Sequence, residues 1–350
     1  MKLVGVAEIA ERFGVTKQVV TNWKTRRNSF PKPVVTLKSG PVWSWDALEK
    51  WANEEEITFS ASVEDTVVDA SENESTRRAI VVGMMNMKGG VGKSTLTANL
   101  GWFAAHQRDK RVLFIDLDPQ FNLSQYILGA RGYERLIDEN SPTIEAIWNS
   151  KGADRPESFS DLVRKMHEWS DGSCLHIVPA NLELAFTMRM IGERAHILRD
   201  YVDEMRGEYD LILIDCAPTE SILSTAAYLA SDYVFVPVRP EFLSTIGLPL
   251  LLRSMEEFKK NYKNEPVPEF GGIIFNDTGE KVEHDRSRAY VQQIASKHDL
   301  PVFENEVSHS DSYPAGSRVG QPIFLTDHAR ETKKKEFQKV ALEFLGKIGL

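Results

Sequence analysis

The chain has 350 residues, of which 42% are apolar, so it is long enough for one large hydrophobic core and a smaller domain. Its two cysteines are too few for a disulfide framework, and no apolar run approaches the roughly 18 residues that a membrane span needs. The amino-terminal segment lacks the continuous apolar stretch of a signal peptide. These features predict a cytoplasmic protein.

The formal net charge of −9 is unevenly distributed along the chain. Residues 1–52 carry nine Lys and Arg against four Asp and Glu, a net charge of +5, whereas residues 53–76 carry eight acidic residues and no basic one. The second segment has too little apolar character to fold by itself. The sequence therefore predicts a basic amino-terminal domain over 1–52, an acidic flexible linker over 53–76 and a larger domain over 77–350.

Residues 1–52 have the pattern of a helix-turn-helix domain. Apolar residues recur at helical spacing over 6–13, and "KQVVTNWKTRR" predicts a second helix after a short turn. The outward residues of this second helix have side chains that contact bases and phosphates in a DNA major groove. They are Lys17, Gln18, Thr21, Asn22, Lys24 and Arg26.

Two short β-prone runs around Lys38-Ser39-Gly40 follow like a wing, and "ALEKWA" predicts a third helix. This arrangement resembles the winged-helix domains of the MerR and excisionase type. The resemblance implies sequence-specific DNA binding by residues 1–52. The alternative is a small helical domain that contacts another protein, with its basic residues merely solvated.

From Arg77 onward the pattern becomes that of an α/β domain. Buried-strand candidates alternate with amphipathic stretches, which predicts a doubly wound, mostly parallel sheet. The candidates are "AIVVGMM", "RVLFIDLDPQ", "LHIVPA", "YDLILIDCAP", "YVFVPV" and "FGGIIFN". The glycine-rich loop after the first of these strands lies where such sheets bind phosphates.

That loop is "MNMKGGVGKST", in which glycines allow backbone N–H groups to turn inward around phosphate oxygens. Lys93 is predicted to contact the β- and γ-phosphates and Ser94 to contact Mg²⁺. The usual pattern G-x-x-x-x-G-K-[ST] requires glycine at Met87, so this match is incomplete. The predicted nucleotide-binding residues are Gly89, Gly90, Val91, Gly92, Lys93, Ser94 and Thr95.

The segment "KGGVGKST" resembles the deviant Walker A motif of the ParA/MinD family of P-loop ATPases. In that family an early lysine, here Lys88, reaches the phosphates of the partner subunit in an ATP-sandwiched homodimer. The resemblance implies that Lys88 is catalytic and that ATP and Mg²⁺ are the ligands. A lysine would then bring charge to the transferring phosphoryl group only when two subunits meet.

Two further segments resemble motifs of the same family. "RVLFIDLDPQFNLS" implies that Asp116 lies near Mg²⁺ and that Asp118 orients the attacking water. "EYDLILIDCAPTES" resembles the Walker B strand and implies that Asp215 holds Mg²⁺ through water. Asn276 matches a position that can read adenine, although a plain strand-end cap is an equal alternative.

Three departures from the family pattern stand out. Phe121 lies where the family usually has glycine, and Met87 lies where partition ATPases often have glutamine. The segment from Val307 to Ile323 lacks the usual Ile-Pro-x-Asn opening of a region that helps to hold adenine in relatives. Phosphate binding is therefore better specified by this sequence than the choice of base.

Several functions are open within this family. A ParA-like partition ATPase binds nucleoid DNA nonspecifically as an ATP dimer and is released by a ParB-like, centromere-bound partner. A MinD-like positioner binds membrane through a carboxyl-terminal helix, and a nitrogenase-reductase relative holds an iron–sulfur cluster. The apolar stripe of "KEFQKVALEFLGKIGL" has the width expected of core packing, because its polar face is not strongly basic, and two cysteines do not favour a cluster.

The basic amino-terminal domain favours the partition reading, since some ParA proteins repress their own operon through such a domain. The sequence thus predicts a nucleoid-associated partition ATPase with a ParB-like partner. An ATP-gated transcriptional regulator is the alternative from another class. For nonspecific DNA binding by the larger domain, Arg286 and Arg288 are the candidates, although solvated helix faces account for each of them singly.

Overall fold

The computed structural model describes residues 3–6, 9, 20, 24, 29–37, 40–54, 78–148, 156, 158–188 and 194–350. Contacts divide the chain into two compact units, Met1–Glu72 and Asn73–Leu350.

In the described residues of the first unit a small antiparallel sheet is accompanied by the helix Trp45–Glu54. Its elements are β1 (Leu3–Val4), β2 (Val35–Leu37), β3 (Gly40–Ser44) and α1 (Trp45–Glu54). Strand β3 lies between β1 and β2, so the two predicted β-prone runs form the antiparallel pair of a wing. The predicted third helix is also present as α1.

A compact apolar cluster holds this unit together. Trp43 is fully buried and its indole N–H donates to the Pro31 carbonyl oxygen at 2.8 Å. Phe30 packs edge-on against Trp43 and Trp51, with ring centroids 5.9 and 4.8 Å away. Most of the two predicted DNA-reading helices lies outside the described residues, so the helix-turn-helix stays a prediction.

The second unit is built on an eight-stranded sheet in the order β11-β10-β9-β4-β8-β5-β7-β6. All described neighbours in it are parallel except β6, which runs antiparallel to β7 at one edge. The strands are β4 (Ile80–Met84), β5 (Arg111–Leu117), β6 (Arg164–Glu168), β7 (Cys174–Val178), β8 (Leu211–Cys216), β9 (Tyr233–Val238), β10 (Glu269–Thr278) and β11 (Val307–Ser308).

Helices connect these strands. They are α2 (Lys93–Arg108), α3 (Asn122–Asp138), α4 (Glu183–Thr187), α5 (Ile197–Met205), α6 (Ile222–Ala230), α7 (Phe242–Thr245), α8 (Gly247–Asn261), α9 (Val282–Lys297), α10 (Ser312–Ser317) and α11 (Glu331–Lys347).

The sheet is apolar on both faces because alternate residues of each strand point to opposite sides. In β8, Ile212 and Ile214 belong to one buried cluster, whereas Leu211 and Leu213 belong to the other. Helices α5, α6 and α8 contribute to the first cluster, and α2 and α11 contribute to the second. The predicted doubly wound, mostly parallel α/β sheet is therefore confirmed.

Helix α11 settles one alternative raised by the sequence. The residues of its apolar stripe are all buried in the second cluster: Phe337, Val340, Ala341, Phe344, Leu345 and Ile348. The prediction of core packing is confirmed, and the stripe is not available to lie on a bilayer. Among the helices in the described ranges, none combines the length and hydropathy needed to cross a membrane.

The sequence missed the two edge strands. Strand β6 has alternating partly exposed and exposed residues, unlike the continuous apolar runs of the inner strands. Strand β11 is only two residues long. Neither has enough apolar pattern to be recognised, because an edge strand is covered by protein on fewer sides.

Candidate active site

The phosphate loop links β4 to α2 at the carboxyl edge of the sheet. Gly92 precedes the helix with φ 90° and ψ 25°, and Gly90 has φ 76°. These left-handed conformations favour glycine. No side chain of the described residues caps α2, so its first N–H groups are available to an anion.

Asn276 on β10 supports this loop. Its side-chain amide donates to the Val91 carbonyl oxygen at 2.9 Å, and a Cβ atom built on Gly92 would lie 2.0 Å from the same amide nitrogen. Gly92 is therefore required by both its backbone angle and its neighbour. The strand continues to Thr278, so the reading of Asn276 as a strand-end residue is wrong.

Two aspartates lie side by side beneath the loop. Asp116 on β5 and Asp215 on β8 are direct partners in the parallel ladder, and both are 0% exposed. Asp116 accepts hydrogen bonds from the Asp118 N–H at 3.1 Å and from the N–H and hydroxyl of Ser124 at 2.8 and 2.7 Å. Both Asp215 oxygens are buried without a hydrogen-bond partner among the described residues.

Burial raises the pKa values of both carboxyl groups. For Asp116, desolvation outweighs the hydrogen bonds from Ser124 and raises the pKa to about 7. For Asp215, desolvation and then the charge of Asp116 raise the pKa well above its usual range, against the opposing effects of Ser94 and Lys93. A cation next to Asp215 would therefore offset the cost of burying its charged form.

Lys93 and Asp118 complete the polar group. The Lys93 ammonium donates to the Lys88 carbonyl oxygen at 3.3 Å, and burial lowers its pKa against the opposing charges of Asp215 and Asp118. Asp118 accepts from the Gln120 N–H at 2.9 Å, and burial raises its pKa while Lys93 opposes the rise. The structure brings these predicted residues into one site.

A cleft of about 740 Å³ opens over this group. Six of the seven predicted loop residues line it, whereas Val91 is buried and contributes a backbone carbonyl to Asn276 instead. Asp118 also lines the cleft. Asp116, Asp215 and Asn276 are buried and are not among the residues that line the cleft, so their contacts with Mg²⁺ and nucleotide stay predictions.

Lys88 differs from Lys93 in its exposure and in its contacts. Its side chain is exposed and makes no ion pair within the described part of the chain, while its backbone N–H donates to Asn86 Oδ1 at 3.0 Å. Asn86 in turn donates to the Pro237 carbonyl oxygen at 2.7 Å, which ties the loop to β9. The Lys88 backbone is therefore held in place while its side chain is exposed.

Comparisons with known proteins identify the family of the chain. The model of an AAA domain family matches residues 79–267, more than half of the chain. The chain belongs to the ParA family of P-loop ATPases. Its relatives include the chromosome-partitioning ATPase Soj of Treponema pallidum, 29% identical over 270 residues that cover 76% of this chain and 96% of the relative. The chromosome partitioning protein ParA of Caulobacter vibrioides is 29% identical over 264 residues, covering 71% and 87% of the two chains.

A solved structure shows the same fold. Apo McdA of Cyanothece superimposes with a TM-score of 0.64 and 21% identity, covering 77% of this chain and all of that one. At this identity the likeness concerns the fold alone. It agrees with the mostly parallel α/β sheet.

The site of this ParA-family ATPase fits a nucleotide with Mg²⁺. The uncapped helix end and the glycine cradle suit phosphate oxygens, and the unpartnered Asp215 carboxylate beside Ser94 suits a hard cation or its bound water. Few protein ligands are needed, because Mg²⁺ keeps several waters and takes phosphate oxygens. Cys174 and Cys216 are buried on two strands that are separated by β5.

Sequence reasoning missed part of the cleft wall. Tyr126 and Tyr133 come from α3, Gln120 from the turn before it, and Arg318 from the residue after α10. Gln120 was recoverable, because it directly follows the "DP" of the second motif. The tyrosines carried no signal, since aromatic residues at helical spacing usually indicate core packing.

The DNA-binding candidates fare differently. In the amino-terminal unit, Lys24 is exposed, with its ammonium 6.0 Å from the centroid of the Trp43 ring, and the other five lie outside the described residues. On α9, Arg286 is exposed. The Arg288 guanidinium pairs with Glu306 at 2.9 Å and Asp285 at 3.0 Å, and its contact with DNA stays a prediction.

Proposed function

We propose that this protein is a ParA-like partition ATPase that hydrolyses ATP with Mg²⁺, binds DNA as an ATP-dependent homodimer and responds to a ParB-like partner. The observation that carries the proposal is the cleft lined by the phosphate loop and Asp118, with the fully buried Asp215 carboxylate next to the loop residues Ser94 and Lys93. The names of the relatives, chromosome-partitioning ATPase and chromosome partitioning protein, support the cellular role.

In this proposal the loop residues bind the triphosphate of ATP. The N–H groups of the glycine loop and the amino end of α2 receive phosphate oxygens, and the Lys93 ammonium exchanges the Lys88 carbonyl for the β- and γ-phosphates. Ser94 and Asp215, with Asp116 nearby, would hold Mg²⁺, which would supply positive charge to the phosphates. Binding of this cation also relieves the uncompensated burial of Asp215.

Asp118 is the residue proposed to orient the attacking water. Its carboxylate lines the cleft and is held by the Gln120 N–H. The raised pKa makes Asp118 a better proton acceptor than an exposed aspartate, which suits a group that polarises water during attack on the γ-phosphorus. The bond from the γ-phosphorus to the bridging oxygen breaks as the new P–O bond forms, giving ADP and phosphate.

Lys88 is proposed to complete the site of a second copy. It is exposed beside the start of α8, where a Cβ atom built on Gly247 would lie 3.1 Å from Lys88 Cβ. Three large apolar side chains on α7 and α8 are also exposed there at i, i+4, i+8 spacing: Phe242 at 67%, Ile246 at 44% and Leu250 at 51%. A surface of this kind suits self-association with Lys88 at its margin.

The dimer is tested by Leu250→Ser, with Leu342→Ser on α11 as the matched control because Leu342 is 43% exposed on another helix. Sedimentation in ATP and in ADP measures the oligomeric state. We expect an ATP-dependent wild-type dimer that Leu250→Ser weakens and Leu342→Ser leaves unchanged. A wild-type protein that stays monomeric with ATP contradicts the proposed mechanism.

The DNA role rests on both units. Residues 1–52, with a net charge of +5, are proposed to read an operator upstream of the gene, and the ATP dimer is proposed to bind DNA nonspecifically through surfaces that include Arg286. Such a protein is expected to be cytoplasmic and associated with the nucleoid. Electrophoretic shifts of random and upstream DNA, each with ADP, ATP or no nucleotide, test both activities.

An ATP-gated transcriptional regulator is the second candidate, and the basic amino-terminal segment favours it. In that case upstream DNA is bound in an ATP-dependent way, random DNA is not, and no DNA-bound partner stimulates hydrolysis. The partition proposal instead expects binding of random DNA with ATP only. The MinD-like alternative is not proposed, because the apolar stripe of α11 is part of the core.

A further inference from the structure

The turn that carries Asp118 ends at a residue in an unusual conformation. Phe121, directly before α3, has φ 47° and ψ 31°. This left-handed region is unfavourable for a bulky side chain and favours glycine, which the family pattern has at this place. Strain of this kind persists only where the surrounding structure fixes it.

The Phe121 ring is fixed by Tyr133. The two rings are stacked, with centroids 4.9 Å apart and planes within 12° of each other. The Phe121 ring also packs against the larger of the buried clusters described for the sheet. Aromatic stacking of this kind stabilises the folded state beyond the contribution of burying the two rings.

Tyr133 is itself held in place by the surrounding structure. Helix α3 is interrupted at Gly129, with φ 68° and ψ 167°, and resumes in a direction that brings Tyr133 back to Phe121. The Tyr133 hydroxyl donates to the Ala180 carbonyl oxygen at 3.3 Å. The stack therefore joins the turn before α3 to the segment that follows β7.

The backbone transmits this anchoring to the active site. The Phe121 N–H donates to the Asp118 carbonyl oxygen at 2.8 Å, and the Gln120 N–H donates to the Asp118 carboxylate at 2.9 Å. Asp118, Gln120 and Tyr133 all line the cleft. A change in the Phe121 conformation thus reaches the carboxylate through two hydrogen bonds.

We propose that Phe121 is a positioning residue for ATP hydrolysis: its stack on Tyr133 holds the Asp118–Phe121 turn in one conformation. A glycine adopts the same angles without strain but also adopts others, so it leaves the turn free to move. Without the stack, a phenylalanine at this position is expected to leave the left-handed conformation, because the conformation is strained for a bulky residue. The inference rests on the proposed role of Asp118.

The central test compares Phe121→Gly, Phe121→Tyr and Tyr133→Leu. Phe121→Gly removes strain and stack together, so we expect an unchanged or higher Tm, a KM for ATP within about twofold and a kcat lower by about tenfold, as for a misplaced catalytic group. Phe121→Tyr keeps an aromatic ring and is expected to retain kcat. Tyr133→Leu is expected to lower kcat as Phe121→Gly does, and the double variant to lower it no further, because both remove one interaction.

Phe186→Leu is the matched control for Phe121→Leu, because Phe186 lies on α4 with 54% of its surface exposed. The control is expected to leave kcat and Tm unchanged, whereas Phe121→Leu keeps the backbone strain without the stack and lowers both. A kcat of Phe121→Gly equal to that of the wild type, or a loss of ATP affinity in proportion to kcat, overturns the proposal.

Amide hydrogen exchange separates this proposal from the assignment of ATP hydrolysis. The N–H groups of Gln120 and Phe121 should exchange at least about tenfold faster in Phe121→Gly and Tyr133→Leu than in the wild type, with global stability retained in Phe121→Gly. Unchanged exchange overturns the clamp whether or not ATP is hydrolysed. If the wild-type protein hydrolyses no ATP, the proposed function is contradicted. Faster exchange in the two variants would still identify the stack as the element that orders the turn.

Discussion

The side-chain amide of Asn276 donates a 2.9 Å hydrogen bond to the backbone carbonyl of Val91. The contact joins β10 to the phosphate loop across 185 positions of the chain. This hydrogen bond uses the buried side-chain amide that the sequence pattern associated with adenine recognition. Strand β10 thus helps to fix the conformation of the loop.

Asn276→Ala is expected to weaken nucleotide binding by about fivefold, because the loss of one buried hydrogen bond costs about 1 kcal/mol. Asn276→Asp should weaken it more, since an ionised carboxylate cannot donate to the Val91 carbonyl. Titration with a fluorescent ATP analogue measures both. Asn261→Ala, on the exposed end of α8, is the control. Equal affinities in all variants would show that Asn276 does not support the loop for nucleotide binding.

Lys93→Ala should abolish nucleotide binding, whereas Asp118→Ala should leave ATP bound and unhydrolysed in the dimer. Lys93 contacts the phosphates in the ground state, while Asp118 acts on the water, so only the second change spares affinity. Equilibrium binding and single-turnover hydrolysis distinguish the two. The assignment fails if both variants lose ATP affinity equally.

Lys88→Gln should lower ATP hydrolysis and dimerisation together while ADP binding by the monomer stays nearly intact. The physical reason is that the exposed Lys88 side chain has its proposed target in the other subunit. A sizing column run with ATP and with ADP gives the answer. A variant that dimerises and hydrolyses ATP normally identifies Lys88 as an ordinary loop lysine.

Asp215→Asn should stabilise the nucleotide-free protein at pH 8 and abolish hydrolysis. The folded-state pKa of Asp215 is raised, so the folded protein binds the proton more tightly than the unfolded chain, and stability falls as pH rises through the raised pKa. Asp116 adds to this fall between the ordinary aspartate pKa of about 3.9 and its raised value of about 7.

Thermal unfolding in chelator from pH 5 to pH 8 tests this expectation. The Tm gain of Asp215→Asn should be larger at pH 8 than at pH 5, because the penalty of a buried charge is present only when the carboxyl group ionises. Asp138→Asn, exposed on α3, is the control and should change neither Tm nor its pH dependence. A destabilised Asp215→Asn protein at pH 8 contradicts the account.

Lys24→Ala should weaken operator binding and reduce its salt dependence, whereas Gln18→Ala should mainly relax sequence preference. An ammonium contacts phosphate, while an amide reads base edges, which is the basis of the difference. The ATPase rate without DNA should not change. Competition between upstream and random DNA for isolated residues 1–52 checks the reading, which fails if they show no preference.

The dimer should strengthen this operator binding. A flexible segment of 24 residues, 53–76, reaches roughly 25–30 Å, so two of them allow both amino-terminal domains to meet half-sites about 34 Å apart. The second binding event then becomes intramolecular, and affinity rises with no new contact. Isolated residues 1–52 should bind the same DNA more weakly and without dependence on nucleotide.

Local pattern was sufficient for most of the fold and for the polar centre of the site. Inner strands such as β9 were predicted because strands buried on both faces are continuously apolar. Lys93, Asp118 and Asp215 were proposed as site residues because their motifs lie at the carboxyl ends of such strands. The motifs come together because the carboxyl ends of parallel strands share one edge of the sheet.

The sequence by itself therefore determined the sheet, the phosphate loop and the aspartates at its edge, since each depends on residues that are near neighbours in the chain. Tertiary structure alone decided that Asn276 supports the loop, that Asp116 is enclosed by Ser124, and that Arg288 is paired with Glu306. It also decided that Phe121 is stacked on Tyr133. These outcomes depend on which side chains meet after folding, and the hydrophobic periodicity that specifies helices and strands carries no information about such pairs.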